Sequence, residues 1–209
     1  MKSNLLKTSW GFKQRGLVAG LLLAPAIALV VFSRPQIEQG SWLSLSADLL
    51  GWIAFFTGSL MRFWSTLYIG GRKRHTLIDD GPYSICRNPL YLGSFLLALS
   101  VGLFLKSFVF AVGLAAMGLI YVMTTVPAEE KDLREILGAA YEDYCRRVPR
   151  FWPRFSLFRT EALVEVKMHF VWVEVKRMLV WVWLPILGEL IGFLRGQKWW
   201  PCLVPFSLS

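Results

Sequence analysis

Histidine, cysteine and charged side chains are all scarce in this chain of 209 residues. It has two histidines and three cysteines, and Asp, Glu, Lys and Arg make up 18% of it, against about 25% in soluble proteins. Neither histidine belongs to a recognisable set of metal ligands, and the cysteines lack metal-ligand spacing, which argues against a zinc site or a disulfide framework. The sequence signatures of serine hydrolases, zinc proteases and nucleotide-binding loops are also absent.

Apolar residues are abundant instead. They form 55% of the chain, aromatic residues form 15%, and the mean hydropathy is +0.48. These values exclude a disordered chain and an ordinary soluble domain. Aromatic side chains are also enriched where a protein meets a membrane interface. The composition therefore predicts an all-α integral membrane protein, with residues 1–209 forming a single membrane domain.

Uncharged stretches of the sequence indicate four membrane spans, since a crossing helix needs roughly 20 mostly apolar residues. Lys106 alone separates the last two stretches, which predicts a tight helical hairpin that turns at this lysine. The first stretch follows a basic segment and contains Ala26-Ile27-Ala28, as a cleaved signal peptide would. Its apolar run continues through Phe32, however, and this length favours a span. The predicted spans are residues 16–33, 42–64, 88–105 and 107–127.

A fifth hydrophobic stretch, residues 178–194, contains Pro185 and Glu189. An ionised carboxylate inside a membrane is costly unless it has a partner or faces the protein interior. The stretch therefore predicts either a fifth span or a short re-entrant or interfacial helix with Glu189 at headgroup level. The preceding residues 164–177 alternate almost as a strand does, but their place before an apolar run favours an interfacial helix.

The combined number of lysines and arginines is alternately high and low along the predicted connections. There are four in residues 1–16, one in 34–48, five in 62–87, one at the hairpin turn and ten in 129–177. By the positive-inside rule, the N-terminus and the connections rich in these residues are cytoplasmic, in a plasma or inner membrane. The net charge of +9 then reflects orientation and contact with membrane lipids, and nucleic-acid binding is not indicated.

Residues 129–148 predict a cytoplasmic amphipathic helix after the fourth span. Its apolar side chains recur at three- and four-residue steps, and Gly138 weakens it slightly. Pro149 and Pro153 end it. The apolar face comprises Leu133, Ile136, Leu137, Ala140, Tyr141, Tyr144 and Val148.

Three clusters could carry chemistry, and the first is GPYSICRNPLYLG at residues 81–93. Gly81-Pro82 predicts a turn, and Asn88-Pro89 predicts a helix start with Asn88 as the N-cap. Arg87 beside a helix N-terminus suits a carboxylate or phosphate ligand. The alternative is that Arg87 binds no ligand and only snorkels, so that its guanidinium reaches water from the membrane interface.

The second cluster is Glu129-Glu130, just after Pro127. Two carboxylates there would be favoured by the dipole of a helix that starts at this point. Alternatively, they would hold a cationic ligand or ribose hydroxyls. The third cluster is basic and aromatic, which is typical of a lipid-facing surface. It comprises Tyr141, Tyr144, Arg146, Arg147, Arg150 and Trp152.

In this order and spacing, the clusters resemble the family of isoprenylcysteine carboxyl and phospholipid methyltransferases, over about residues 60–153. One position departs from the family pattern, because Asn88 stands where the family has a histidine. An amide keeps a donor and an acceptor but cannot titrate near neutral pH, so a proton-accepting role is in doubt. The matching positions are Gly81, Pro82, Tyr83, Arg87, Pro89, Tyr91, Gly93, Glu129, Glu130, Gly138, Tyr141 and Tyr144.

The resemblance implies methyl transfer from S-adenosylmethionine, without a metal, to a lipid-like or small hydrophobic acceptor. A prenylcysteine carboxylate, a phospholipid amine and a thiol all stay open as the acceptor. The alternative is a non-catalytic membrane protein of the same architecture that binds lipid or cofactor. The implied catalytic residues are Arg87 and Asn88. The implied cofactor-binding residues are Gly81, Pro82, Tyr83, Arg87, Asn88, Pro89, Tyr91, Glu129, Glu130 and Tyr144.

The hairpin makes a geometric prediction about these residues. Asn88 and Ala128 lie 18 and 22 residues from Lys106, so both helix ends reach the same side of the membrane. We therefore expect Arg87 and Tyr91 to lie beside Glu129 and Glu130.

Overall fold

The computed structural model describes residues 28–33, 37, 39–70 and 76–201 of the chain. Most of the first predicted span, residues 16–27, lies outside this part. The described residues form helices and no β-strand, which confirms the all-α prediction. Residues 28–31 are helical as well. The remaining helices are α1 (Trp42–Ile69), α2 (Pro82–Ile85), α3 (Pro89–Leu105), α4 (Phe108–Leu137), α5 (Ala139–Arg147), a 3-10 helix (Phe155–Leu157), α6 (Met168–Trp181) and α7 (Trp183–Arg195).

Three helical regions of the described chain are long and apolar enough to cross a membrane. They are α1, the part of α4 over Phe110–Leu137, and Met168–Arg195, in which only Val182 separates α6 from α7. The apolar helix α3 is shorter, with 17 residues. The fifth hydrophobic region thus starts at Met168 and not near residue 178, and residues 168–177 are helical despite their near-alternation.

The hairpin between α3 and α4 turns at Lys106, as the sequence predicts. This residue adopts a left-handed conformation with φ 48° and ψ 40°, and its backbone N–H donates to the carbonyl of Leu103. Such a conformation is unfavourable for residues other than glycine. The side chain is held by Asp48 of α1, whose Oδ2 accepts from Lys106 Nζ at 2.8 Å. We call this side of the helices the hairpin end, and the opposite side the site end.

Helices α1 and α3 approach closely at two glycines. A Cβ on Gly93 would lie 2.7 Å from Cγ of Arg62 and 2.8 Å from the carbonyl oxygen of Gly58. Small residues of this kind allow close packing between membrane helices. Gly93 also leaves room for the Arg62 side chain to pass across α3 towards α6.

Helices α6 and α7 follow the same direction as α3. Near the site end, the side chain of Phe170 lies against Gly70, just after α1. At the hairpin end, Arg195 donates to the carbonyl of Leu105 at 2.9 Å and to that of Ser33 at 2.9 Å. The carboxylate of Glu189 lies beside Asp48 and Lys106, and Lys106 supplies the opposite charge that an intramembrane carboxylate requires.

The prediction of one separate cytoplasmic helix over residues 129–148 is wrong. Helix α4 continues through Pro127 as far as Leu137, and Gly138, with φ 57°, then separates it from α5. Contacts made beyond the proline, at Glu130 and in the apolar cluster around Leu133 and Leu137, offset the disruption that a proline causes inside a helix. Glu129 and Glu130 consequently lie well inside a helix, and the interpretation that places them in a first helical turn is also wrong.

Candidate functional site

The segment from Gly81 to Asn88 forms a compact turn before α3. Gly81 has φ 55°, and a Cβ there would overlap the ring of Tyr68, so the position requires glycine. Pro82 begins α2, and Ser84 Oγ donates to the Gly81 carbonyl at 2.7 Å. The structure therefore confirms the turn predicted at Gly81-Pro82.

Helix α3 begins at Pro89 as predicted, but Asn88 does not cap it with its side chain. The Asn88 amide nitrogen instead donates to the carbonyl oxygen of Arg150 at 3.2 Å. It also lies 3.5 Å from Oε1 of Glu130. The amide links three segments of the site, a role that the pattern Asn-Pro does not indicate.

Residues 149–159, which we call the strap, lie along the turn and hold its backbone. Arg87 donates its N–H to the carbonyl of Pro149 at 2.9 Å, and Gly81 donates to that of Arg159 at 2.8 Å. In the other direction, Arg154 donates to the carbonyl of Ile85 at 3.0 Å. Sequence reasoning missed this role, although Pro149 and Pro153 signal an extended segment with backbone groups left to pair.

Glu130 is the centre of an ion-pair cluster at the site end. Its side chain is 2% exposed, and its two oxygens accept from Nε and Nη2 of Arg150 at 3.2 and 2.6 Å. Arg87 Nη1 lies 3.7 Å from the same carboxylate, and Arg134 Nη2 lies 3.8 Å from it. Hydrogen bonds to Glu130 raise the pKa of Arg150. The expected proximity of Arg87 and Glu130 is therefore observed, with Arg150 as an additional partner.

The end of α1, residues 76–78, the turn, α3, α4 and α5 together enclose a cleft. Gly81, Pro82 and Pro89 do not line it but shape the turn and the helix start behind it. Seven of the predicted cofactor-binding residues do line it: Tyr83, Arg87, Asn88, Tyr91, Glu129, Glu130 and Tyr144. Eight further residues line it that the sequence did not indicate as cofactor-binding: Ile69, Thr76, Leu77, Ile78, Leu90, Leu133, Leu137 and Tyr141.

Two buried donors in the cleft lack a hydrogen-bond partner within the described part of the chain. They are Nε of Arg87 and the hydroxyl of Tyr83. Burial raises the pKa of Tyr83, so its hydroxyl stays protonated and able to donate at neutral pH. An unsatisfied buried donor costs about 1–3 kcal/mol, which a ligand oxygen in the cleft would recover.

On the α3–α4 side of the cleft, Tyr91 interacts with Glu129 and Tyr121. The rings of Tyr91 and Tyr121 have centroids 5.4 Å apart. Glu129 and Glu130 thus occupy different surroundings, because Glu130 is enclosed by arginines and Glu129 contacts a tyrosine. The expected proximity of Tyr91 and Glu129 is also observed.

The third cluster is only partly a lipid-facing surface. Tyr141 and Tyr144 are both 3% exposed and pack with Leu77 and Leu133. The Tyr144 hydroxyl donates to the backbone carbonyl of Tyr83 at 2.8 Å. Burial raises the pKa of Tyr141 and Tyr144, so both phenols are neutral. The lipid-facing interpretation is therefore wrong for the two tyrosines, which are buried and line the cleft.

Cys86 lies in the turn but is unsuited to act as a nucleophile. Its side chain is buried, and its thiol donates to the carbonyls of Arg150 and Phe151. Burial raises the pKa of the Cys86 thiol to about 11, so it is protonated at neutral pH.

A second, apolar groove lies between α3 and α4. Phe95 and Gly118 face each other across it, one helical turn from the Tyr91–Tyr121 pair. The tyrosine pair therefore lies between this groove and the cleft. The groove is lined by Phe95, Ala98, Leu99, Gly102, Ala111, Leu114, Ala115, Gly118, Leu119 and Val122.

Comparison with known proteins gives several matches. A family model described as phospholipid methyltransferase matches residues 47–140. The nickel-cobalt-cadmium resistance protein of Alcaligenes xylosoxydans xylosoxydans is 32% identical over 165 residues, which cover 78% of this chain and 76% of that protein. The cobalt-zinc-cadmium resistance protein of Cupriavidus metallidurans is 35% identical over 59% of this chain and 57% of its own length. Protein-S-isoprenylcysteine O-methyltransferase B of Arabidopsis thaliana is 29% identical over 59% of this chain and 65% of its own. No solved structure matches.

Proposed function

Since this chain belongs to the family of phospholipid and isoprenylcysteine methyltransferases, we propose that it transfers a methyl group from S-adenosylmethionine to a lipid-like or small hydrophobic acceptor. The cofactor would supply the electrophilic methyl group. The observation that carries the proposal is the pair of unpartnered buried donors in the cleft, Arg87 Nε and the Tyr83 hydroxyl.

The cleft matches the polar groups of the cofactor. Arg87 and Tyr83 would donate to its carboxylate oxygens, while the carboxylate of Glu129 would accept from its ammonium or ribose hydroxyls. Glu130 would act through Arg87, because its own oxygens already accept from Arg150. Asn88 would hold the strap and helix α3 together at the mouth of the cleft and would not accept a proton.

The acceptor would approach from the groove between α3 and α4. The ten residues that line this groove are apolar or glycine, which suits a hydrocarbon chain or a small hydrophobic molecule. The Tyr91–Tyr121 pair marks the passage from the groove to the cleft. Methyl transfer requires mainly that the acceptor atom be aligned with the reacting bond, so much of the rate would come from positioning. A carboxylate or thiolate acceptor needs no general base in the cleft.

Cofactor binding tests the proposal. In calorimetric titration of the lipid-reconstituted protein with S-adenosylhomocysteine, we expect Arg87→Ala to weaken binding by roughly ten- to a hundredfold. This is the loss of one charge-assisted hydrogen bond in a site that is largely screened from water. Tyr83→Phe is expected to weaken binding less, because it removes a neutral donor.

Glu142→Gln, on the exposed face of α5, is the matched control and should bind as the parent does. Absence of binding by the parent would refute the cofactor assignment as a whole. Equal affinities for the parent and Arg87→Ala would refute the role of Arg87. Methylated lipids that appear only in cells with the active protein, identified by mass spectrometry, would separate an enzyme from a non-catalytic binding protein.

We further propose four or five spans, with the site end in the cytoplasm. Four spans would be the first predicted span, α1, α3 and α4, and α6–α7 would be the fifth. The bilayer would be a plasma or inner membrane. The alternation of lysine and arginine in the connections supports this orientation.

Cysteine labelling in intact cells tests the orientation. With the native cysteines replaced by alanine, Gln39→Cys at the hairpin end should react with a membrane-impermeant maleimide. Glu135→Cys, exposed near the end of α4, should react only after the cells are permeabilised. Labelling of position 135 in intact cells would reverse the proposed orientation.

A further inference from the structure

The outer face of the strap carries large apolar side chains that the described chain does not cover. Trp152 is 87% exposed, Phe155 is 72% exposed and Phe158 is 50% exposed. These three residues lie within seven positions of the sequence, on the segment that holds the turn of the candidate site. A cluster of exposed aromatic residues of this kind marks an interaction surface.

The strap cannot simply fold these side chains inwards, because its backbone is held at several points. Pro149, Arg154 and Arg159 each make a backbone hydrogen bond to the turn, at 2.8–3.0 Å. Phe155 begins the 3-10 helix and Phe158 follows its last residue, and the Phe158 N–H donates to the carbonyl of Phe155 at 3.0 Å. The aromatic face is therefore presented outwards by a fixed scaffold.

Two ring contacts give the depth of the strap relative to the membrane helices. Phe158 packs on Trp64 with ring centroids 5.9 Å apart, and Phe151 packs on Phe95 at 6.1 Å. Trp64 lies five residues before the end of α1 and Phe95 six residues after the start of α3, which corresponds to about 8 and 9 Å below the helix ends. Interfacial segments bury their apolar faces to about 5–10 Å, which matches the depth of these contacts below the helix ends.

The charge of this region indicates which kind of surface it meets. Residues 145–160 contain five arginines and no acidic residue. Arg147, Arg150 and Arg159 pair with Asp79, Asp143 or Glu130. Arg154 is exposed, stands between Trp152 and Phe155, and has no acidic partner within 28–33, 37, 39–70 and 76–201. An unpaired cation between interfacial aromatics is complementary to an anionic lipid headgroup.

We propose that Trp152, Arg154, Phe155 and Phe158 form a lipid-docking patch that inserts into the headgroup layer of a bilayer leaflet containing anionic phospholipid. Because the strap is bonded to the turn, docking keeps the mouth of the cleft at the level of the headgroups. The patch lies outside the residues that the phospholipid methyltransferase model matches, and it does not depend on the proposed reaction.

Photocrosslinking of the full-length protein in nanodiscs of equal parts phosphatidylcholine and phosphatidylglycerol tests the patch directly. With p-benzoylphenylalanine in place of Phe155, illumination should give covalent lipid adducts, detected by mass spectrometry. The control position is Ile136, which is 51% exposed and lies on α4 roughly 12 Å beyond Ala128. Position 136 should give few lipid adducts. Adduct yields no higher at 155 than at 136, or adducts mainly to a second copy of the protein, would overturn the proposal.

The anionic preference has its own test in the same nanodiscs. Arg154→Gln should lower the ratio of phosphatidylglycerol to phosphatidylcholine adducts at position 155 by about fivefold, as expected for the loss of one cation at a membrane surface. Lys131→Gln, an exposed cation on α4, should leave the ratio unchanged. An unchanged ratio in Arg154→Gln would show that the patch binds lipid without charge selection and would overturn that part of the proposal.

Discussion

Replacing Glu174 with glutamine is expected to lower the free energy of unfolding by about 3–5 kcal/mol, because it leaves a buried arginine without its counter-charge. Glu174 of α6 is 2% exposed and accepts from Nε and Nη2 of Arg62 at 2.8 and 3.2 Å. Nη1 of the same guanidinium donates to Ser94 of α3 at 2.6 Å, and the guanidinium lies 4.7 Å from the ring centroid of Trp181. The Arg62 guanidinium thus links α1 to both α3 and α6, and Glu174 supplies its counter-charge.

The measurement is thermal unfolding of the protein in nanodiscs, with Glu142→Gln on the exposed face of α5 as the control. A double variant, Arg62→Met with Glu174→Leu, removes both charges and should regain much of the lost stability, since an apolar pair of similar volume often replaces a buried ion pair. If Glu174→Gln unfolds at the same temperature as the control, the ion pair does not hold α6 to the helix core.

Replacing Glu130 with glutamine is the second change expected to have a large effect. The substitution removes the carboxylate that holds Arg150 at 2.6 Å and that lies 3.7 Å from Arg87. Once the Glu130 charge is removed, the surrounding guanidinium groups repel one another. Water screens this repulsion only weakly at position 130, because the Glu130 side chain is 2% exposed. Loss of one partner from such a cluster costs about 3–5 kcal/mol, and Arg87 would no longer be held towards the cleft.

We therefore expect Glu130→Gln to lower the unfolding temperature without any ligand and also to weaken binding of S-adenosylhomocysteine. Glu135→Gln, five residues further along α4 and 66% exposed, is the matched control for both measurements. An unchanged unfolding temperature together with weakened binding would mean that Glu130 contacts the cofactor directly. That result would contradict its assignment as the residue that positions Arg87.

Several features of the site follow from local sequence. Gly81-Pro82 predicts the turn because only glycine tolerates the φ of 55° found there, and Pro89 predicts the start of α3 because proline suits the first helical position. The lysine between two apolar runs predicts the hairpin. From the hairpin and the constant rise of a helix, the proximity of Arg87 to Glu130 follows by counting residues.

Other features depend on where distant segments pack, and local patterns do not indicate them. The Asn88 side chain contacts the strap 62 residues away and leaves the helix uncapped. Helix α4 passes through Pro127, because contacts of the following turns outweigh the lost hydrogen bond. Gly138, which the sequence indicates only as a slight weakness of the predicted amphipathic helix, divides that helix into the last turns of α4 and the separate helix α5.

By itself, the sequence determined the helical membrane class, the hairpin and the order of the site motifs, because hydropathy, turn chemistry and helical rise act over short distances along the chain. Apart from Arg87 and Glu130, only the tertiary structure decided which charges meet. Arg62 and Glu174 are 112 residues apart, and Arg150 and Glu130 belong to different structural segments. A charged side chain in an apolar surrounding must find a partner, but its sequence neighbours do not specify which one, since the choice depends on how the helices pack.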